Sequence, residues 1–341
     1  VVGSFFLVRL LPASTSRFLM FPIYLWMGGL FYLLLLVLGA DLLRLSVRVA
    51  RRPFRGGPPF DPERRRLLAR LVGGTATASF AGIAFVGARR AMDLDDLVTK
   101  RIEVPLRRLP RALDGFRIVQ ISDLHLGPTL GRDWCAGVVE RVNALAPDLI
   151  AITGDLIDGT VERLRGDVEP LRALKAPHGV FFCTGNHEYY FGPAEWCEHL
   201  PRLGIRVLRN ERVAVGRGDA WFDLAGIDDF RSQGMAEGHG PDLARAVAGR
   251  DEGRELVLLA HQPAAVHDAS ERGVGLQLSG HTHGGQMWPF NYLVYLAQPY
   301  VSGFVNHKGT QLYINQGTGF WGPPIRIGTF AEITEVTLRS A

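Results

Sequence analysis

The polar residues Asp123, Asp155 and Asn186 each follow an apolar run (Phe116 to Ile121, Leu149 to Thr153, Gly179 to Cys183), and they recur at nearly even intervals. Intervals of roughly 30 residues fit strand–helix–strand units. Arg132 to Ala146 and Val161 to Lys175 have the periodicity of the intervening helices. Open α/β sheets gather such strand ends along one edge, where chemistry is usually placed. The spacing therefore restricts this part of the chain to a sheet with its polar loops side by side. Beyond Arg202 the texture changes to short strands, Ile205 to Leu208, Arg212 to Val215 and Ala220 to Ile227, separated by glycine-rich turns. Leu256 to Ala260 then leads to His261, and Gly275 to Leu278 leads to Gly280-His281-Thr282-His283. Val301 to Phe304, Gln311 to Asn315 and Phe330 to Leu338 close the pattern. Residues 113–341 read as one α/β domain, buried by two packed sheets with helices outside.

The front of the chain is of another kind. Phe18 to Ala40 is uncharged over 23 residues, and about 20 apolar residues cross a bilayer. Phe21, Tyr24 and Trp26 suit an interfacial aromatic belt. Leu71 to Ala88 is a weaker second span, rich in the small residues that allow close helix packing in lipid. Between them, 41–70 is an arginine-rich loop broken by Pro53, Gly56-Gly57-Pro58-Pro59 and Pro62. The expected division is a membrane anchor over 1–90, a linker over 91–112 and the α/β domain over 113–341. Val1 to Leu11, apolar apart from Arg9, leaves room for a further span upstream.

Charge supports a membrane partner. Residues 1–111 hold 18 of the 38 Lys and Arg but only 7 of the 34 Asp and Glu, so the front is basic and the remainder acidic. The arginines flank apolar spans without interleaved aromatics, which favours a lipid surface over nucleic acid. By the positive-inside rule the 41–70 loop is cytoplasmic and the α/β domain lies outside, with Arg89-Arg90 and Arg107-Arg108 weighing against that asymmetry. Arg64-Arg65-Arg66-Leu67-Leu68 also resembles a twin-arginine export signal. Cys135, Cys183 and Cys197 lie outside any C-x-x-C pair and build neither a zinc knuckle nor a disulfide framework.

The strand-end residues form a mixed oxygen and nitrogen donor set without thiolate: Asp123, His125, Asp155, Asn186, His261, His281 and His283. Such donors suit two divalent ions drawn from Mn, Fe, Zn, Co or Ni. Paired metals need a bridging carboxylate and open positions, and they activate water to hydroxide near neutral pH. His187, beside Asn186, could serve as a proton donor or acceptor.

The pattern Asp-x-His, Gly-Asp, Gly-Asn-His-Glu, His and Gly-His-x-His resembles the calcineurin-like metallophosphoesterase family over roughly Arg117 to Leu338. Gly284-Gly285-Gln286 and Asn315-Gln316-Gly317-Thr318-Gly319-Phe320-Trp321-Gly322 are similar to its membrane-associated bacterial branch, the YkuE- and YaeI-type phosphodiesterases. The resemblance implies a four-layer α/β/β/α sandwich preceded by transmembrane helices. It also implies that Asp123, His125 and His283 hold one metal, that Asp155 bridges, and that Asn186, His261 and His281 hold the other. His187 is then the catalytic histidine beside the scissile phosphate. The family commonly has Asp where this chain has Glu188, whose longer carboxylate is expected to orient the His187 imidazole, and Asp158 is expected behind the ligands.

The reading is a membrane-anchored, binuclear-metal-dependent phosphoesterase, a phosphodiesterase by preference, acting on a phosphoester that is lipid-linked or part of the cell envelope. One alternative is a pyrophosphatase of the UDP-diacylglucosamine type, which needs a cytoplasm-facing site. Another is a non-catalytic metal-dependent membrane sensor, for which a complete ligand set would be superfluous. Met287 to Phe304 carries many large apolar side chains directly after His283, and Trp288, Phe290 and Tyr292 are its candidates for lipid contact if exposed.

Overall fold

The computed structural model describes residues 13–50 and 61–341. Two long helices come first, α1 (Ala13–Ala50) and α2 (Pro62–Met92). Each is long and apolar enough to cross a membrane, with mean hydropathy 2.1 and 1.5 in its apolar part. Both outrun the expected spans of 18–40 and 71–88. Asp41 to Ala50 holds no Gly or Pro and continues α1. Asp61 caps α2, its carboxylate accepting from the Glu63 and Arg64 amides at 2.9 and 3.1 Å, and Pro62 opens the first turn. The arginine-rich stretch 41–70 is thus helical at both ends, while its middle, like the apolar Val1 to Leu11, lies outside the described residues.

Residues 91–112, expected as a linker, are built into the fold. After the end of α2 comes β1 (Val98–Leu106). The remaining strands are β2 (Arg117–Ile121), β3 (Leu149–Thr153), β4 (Val180–Cys183), β5 (Ile205–Val207), β6 (Glu211–Arg217), β7 (Ala220–Gly226), β8 (Leu256–Leu259), β9 (Leu276–Ser279), β10 (Gly303–His307), β11 (Thr310–Ile314) and β12 (Glu332–Ser340). They form two six-stranded sheets, ordered β1-β12-β2-β3-β4-β5 and β10-β11-β9-β8-β7-β6. Strands β2 to β5 run parallel in the first sheet, and β7, β8, β9 and β11 run parallel in the second. β1 pairs with β12 along its whole length, from Val98 opposite Glu332 to Leu106 opposite Ser340. Its Lys100, Arg101 and Glu103 break the apolar pattern, and Pro105 is tolerated because the strand is at an edge.

Alternation along the strands defines the layers. Ile118, Leu149, Ala151, Phe181 and Cys183 face inward against Phe222, Leu224, Val257, Leu259 and Leu278 of the other sheet. Val119, Ile121, Ile150, Ile152 and Phe182 face outward, against Trp134, Val138 and Val142 of helix α3 (Arg132–Ala144) and Leu164 of α4 (Val161–Val168). On the far side Leu256 and Leu258 meet Ala269 and the helical Leu243 and Ala246. The result is an α/β/β/α sandwich.

The two long helices pack directly on this domain. Gly28 and Gly87 allow the approach, since a methyl on either would collide with the Ile325 side chain. Tyr32, Met287 and Ile325 form a buried cluster there. At the start of α1, Arg17 donates Nε–H to the Gly127 carbonyl at 3.1 Å and pairs with Asp167.

Candidate metal centre

Each candidate ligand lies just beyond a strand end. β2, β3 and β4 deliver Asp123 with His125, Asp155, and Asn186; β8 and β9 deliver His261 and His281 with His283. Asn186 is the first residue of a one-turn helix, α5 (Asn186–Tyr190), rather than a loop residue. Beneath the loops, Gln120 Nε2 donates to Thr153 Oγ1 and to the Ser279 carbonyl, both at 2.9 Å, which ties the two sheets together under the site. All seven candidates are buried except His281, which is partly so.

Their donor atoms form two trios. Asp123, His125 and His283 present one oxygen and two imidazole nitrogens within 4.8 Å of one another, and so do Asp155, His261 and His281. In the first, His125 Nε2 and His283 Nε2 are 3.1 Å apart. In the second, His261 Nε2 is 3.2 Å from His281 Nδ1 and 3.1 Å from Asp155 Oδ2. The same Asp155 oxygen is 3.9 Å from His125 Nε2, so it stands between the trios. The rings are held from behind: His261 Nδ1 donates to the Thr153 carbonyl at 2.7 Å, and His125 Nδ1 meets Asp158 Oδ1 at 3.0 Å. Each contact leaves Nε2 for a metal. The carboxylates are aimed too, Asp123 by the His281 amide at 3.0 Å and Asp155 Oδ1 by the His187 amide at 2.8 Å.

Asn186 tests whether these residues fit a metal pair. Its side-chain oxygen is buried without a hydrogen-bond partner, and a buried acceptor left unpaired costs about 1–3 kcal/mol. A cation beside it would satisfy that oxygen. Protonation fits for Asp155, His281 and His283. Burial opposes charge on Asp155, but His261 and His187 outweigh it and hold the carboxyl well below the usual range. Burial, with His261 beside it, lowers His281 to about 3, and burial lowers His283 to about 4. His261 departs from this set: burial opposes its charge, but Asp155 prevails and raises it well above its ordinary value, and because ionised carboxylates and neutral imidazoles are the forms that bind metal, a metal there would displace that proton.

His187 sits at the rim with Nδ1 on Asp158 Oδ1 at 2.5 Å and Nε2 3.9 Å from Asp155 Oδ2. Burial works against its charge, but Asp155 and Asp158 prevail and raise it to about 9. Without metal, its two carboxylate neighbours thus favour the protonated ring. The expected partner, Glu188, does not touch it. Glu188 accepts from the backbone amides of Asp155 at 3.1 Å, Leu156 at 2.9 Å and Gly185 at 2.6 Å, pinning two ligand loops together. Its carboxylate points back into the protein, and Asp158, from the next loop, takes the imidazole instead. One residue had no sequence signal: Arg326 is fully buried and donates to the carbonyls of Gln316, Gly319 and Phe330, bracing the 315–319 loop beside His283.

The aromatic stretch after His283 stays out of the second sheet's core as far as Leu296, whereas Tyr300 packs against Leu312 and Ile314 of that sheet. Trp288, Phe290 and Tyr292 are 55%, 39% and 63% exposed. Phe290 meets the α1 residue Phe31 edge-on, with ring centroids 6.2 Å apart.

Two strand-end trios with Asp155 between them on an α/β/β/α sandwich define a metal-dependent phosphoesterase site architecture. Residues 116–285 match the family model described as calcineurin-like phosphoesterase. A Danio rerio protein described as a transmembrane protein with metallophosphoesterase domain is 42% identical over 70% of this chain and 57% of its own length. A Bos taurus protein of the same description is 40% identical over 70% of this chain and 56% of its own. The chain thus spans little more than half of these relatives. It spans 98% of the Bacillus subtilis metallophosphoesterase YkuE, at 30% identity over 81% of this chain. The chain belongs to the calcineurin-like metallophosphoesterase family.

Proposed function

We propose that the chain is a membrane-anchored, binuclear-metal-dependent phosphodiesterase whose catalytic domain lies outside the cytoplasm. The observation that carries the reading is the pair of ligand trios around Asp155 with His187 beside them. Two divalent ions there, of the Mn, Fe, Zn, Co or Ni kind, would supply Lewis-acid charge to a phosphoryl group and lower the pKa of water to about 7. Asp123, His125 and His283 would hold one and Asn186, His261 and His281 the other, with Asp155 shared. His187 gives its Nε2 proton to the leaving oxygen, and Asp158 keeps the ring turned toward it. Preference for a diester is supported by the rim, where Tyr190, Phe191 and Trp321 lie 5.2, 6.4 and 6.5 Å from the His187 ring between centroids. Such a rim would hold an organic substituent on the phosphoryl group, and a diester carries two of these where a monoester carries one. Placement outside the cytoplasm is supported by the arginines at the end of α1 and the start of α2, among them Arg44, Arg48, Arg64, Arg66 and Arg70.

The test is turnover of bis(p-nitrophenyl) phosphate and p-nitrophenyl phosphate by the full chain, stripped and reloaded with each metal. Faster hydrolysis of the diester is expected. Monoester turnover as fast or faster would overturn the diesterase reading, and no turnover with two metals bound would favour the sensor.

A further inference from the structure

A cavity of about 620 Å³ opens beside His187, within the range of small-molecule sites. Asp158 and His187 lie at its floor, and Tyr190, Phe191 and Trp321 line the domain side. The opposite wall is α1: Ser16, Met20 and Tyr24, spaced four residues apart, form one stripe of the helix facing the cavity. We infer that α1 is part of the substrate site and that the substrate is a membrane lipid phosphoester, its hydrocarbon chain lying between α1 and the aromatic rim. This rests on the phosphoesterase reading above.

The wall is fixed rather than leaning. Arg17 binds Gly127 and Asp167, and Arg163 Nη2 donates to Ser16 Oγ at 3.3 Å, so polar contacts seat the helix one turn before Met20. Further along, Tyr32 is buried against Met287 and Ile325. On the other face of the same stretch, Phe18, Trp26 and Leu30 are exposed, as expected of a lipid-facing surface. The exposed Trp288, Phe290 and Tyr292 adjoin α1 through Phe31, extending that surface beside the metal centre. Of the charged side chains, Asp158 and His187 lie beside the metal centre and Arg163 is tied to Ser16 at the α1 side, while Met20, Tyr24, Phe191 and Trp321 give the two walls their apolar and aromatic surface. A lipid phosphoester matches both ends, its phosphoryl group at the metals and its chain against the walls. The step is ordinary hydrolysis. The oxygen of water forms the new bond to phosphorus, the ester P–O bond breaks, the His187 proton goes to the departing alcohol, and the proton released by water restores His187.

The experiment is calorimetric binding of propyl- to hexylphosphonate to the Mn-loaded full chain in lipid nanodiscs, with empty nanodiscs subtracted. Affinity should tighten about fourfold per added methylene, the equivalent of about 0.8 kcal/mol per buried CH₂. Met20→Trp, which fills the cavity, should flatten that dependence. Should that variant fail to fold, Trp321→Ser, at an exposed position, carries the test and should also weaken it. Equal affinity across the series, or a dependence unchanged in the folded variants, would overturn the inference. The same preparation is assayed with bis(p-nitrophenyl) phosphate. Hydrolysis with a flat series removes only the lipid substrate, whereas a steep series without hydrolysis removes the phosphoesterase reading and keeps the cavity.

Discussion

Five of the seven candidate ligands, Asp123, His125, Asp155, His281 and His283, have positive φ between 48° and 71°. Non-glycine residues avoid that region, at a cost of order 1–3 kcal/mol each in strained cases. The strain is held by local bonds such as those of Glu188 and Arg326, and it turns the side chains toward one point. Asp155→Asn should therefore lose both metals and activity together, because a neutral amide bridges two cations poorly; elemental analysis finding two metals retained would rule out Asp155 as the bridge. His187→Ala should keep its metals and slow turnover by about 10²–10⁴-fold. Metal loss in that variant would make His187 a ligand instead. Glu188→Gln would turn an amide NH₂ toward backbone N–H groups and should lower stability by about 1–3 kcal/mol for each donor left unpaired. A melting temperature equal to wild type would contradict that role. The ligand types were legible because each follows an apolar strand. The His187–Asp158 pairing was not, because it joins two loops whose relative height depends on packing.

At the level of elements, sequence periodicity located the central strands and α3 to within a few residues, since both faces of those strands are buried and their apolar runs are uninterrupted. β1 escaped because only Val104 and Leu106 of its nine residues are buried, leaving charged residues to dominate the pattern. Its pairing has a consequence. A chain beginning at Asp93 keeps β1, and one beginning at Leu113 strips β12 of its parallel neighbour. The shorter chain should melt at lower temperature and aggregate more readily through the opened edge. Equal melting of the two would show that β1 contributes nothing to the domain. The helices were legible as spans but not as packing elements, because Gly28 and Gly87 read simply as small residues in an apolar stretch until Ile325 is seen against them.

For the whole molecule, the two long apolar helices and the α/β domain form one packed unit, so a bilayer around those helices would fix the height of the site as well as its location. A reporter fused after Ala341 should be active outside the cytoplasm, and one active only inside would reverse the orientation and favour a cytoplasm-facing pyrophosphatase. Whether the site holds a pair of metals is decided by anomalous diffraction from crystals of the Mn-loaded chain. Two peaks roughly 3.5–4 Å apart are expected, one among Asp123, His125 and His283 and one among Asn186, His261 and His281, with Asp155 between them. A single peak, or a peak seated among His125, Asp158 and His187, whose donor atoms also lie within 4.8 Å of one another, would contradict a metal pair shared through Asp155.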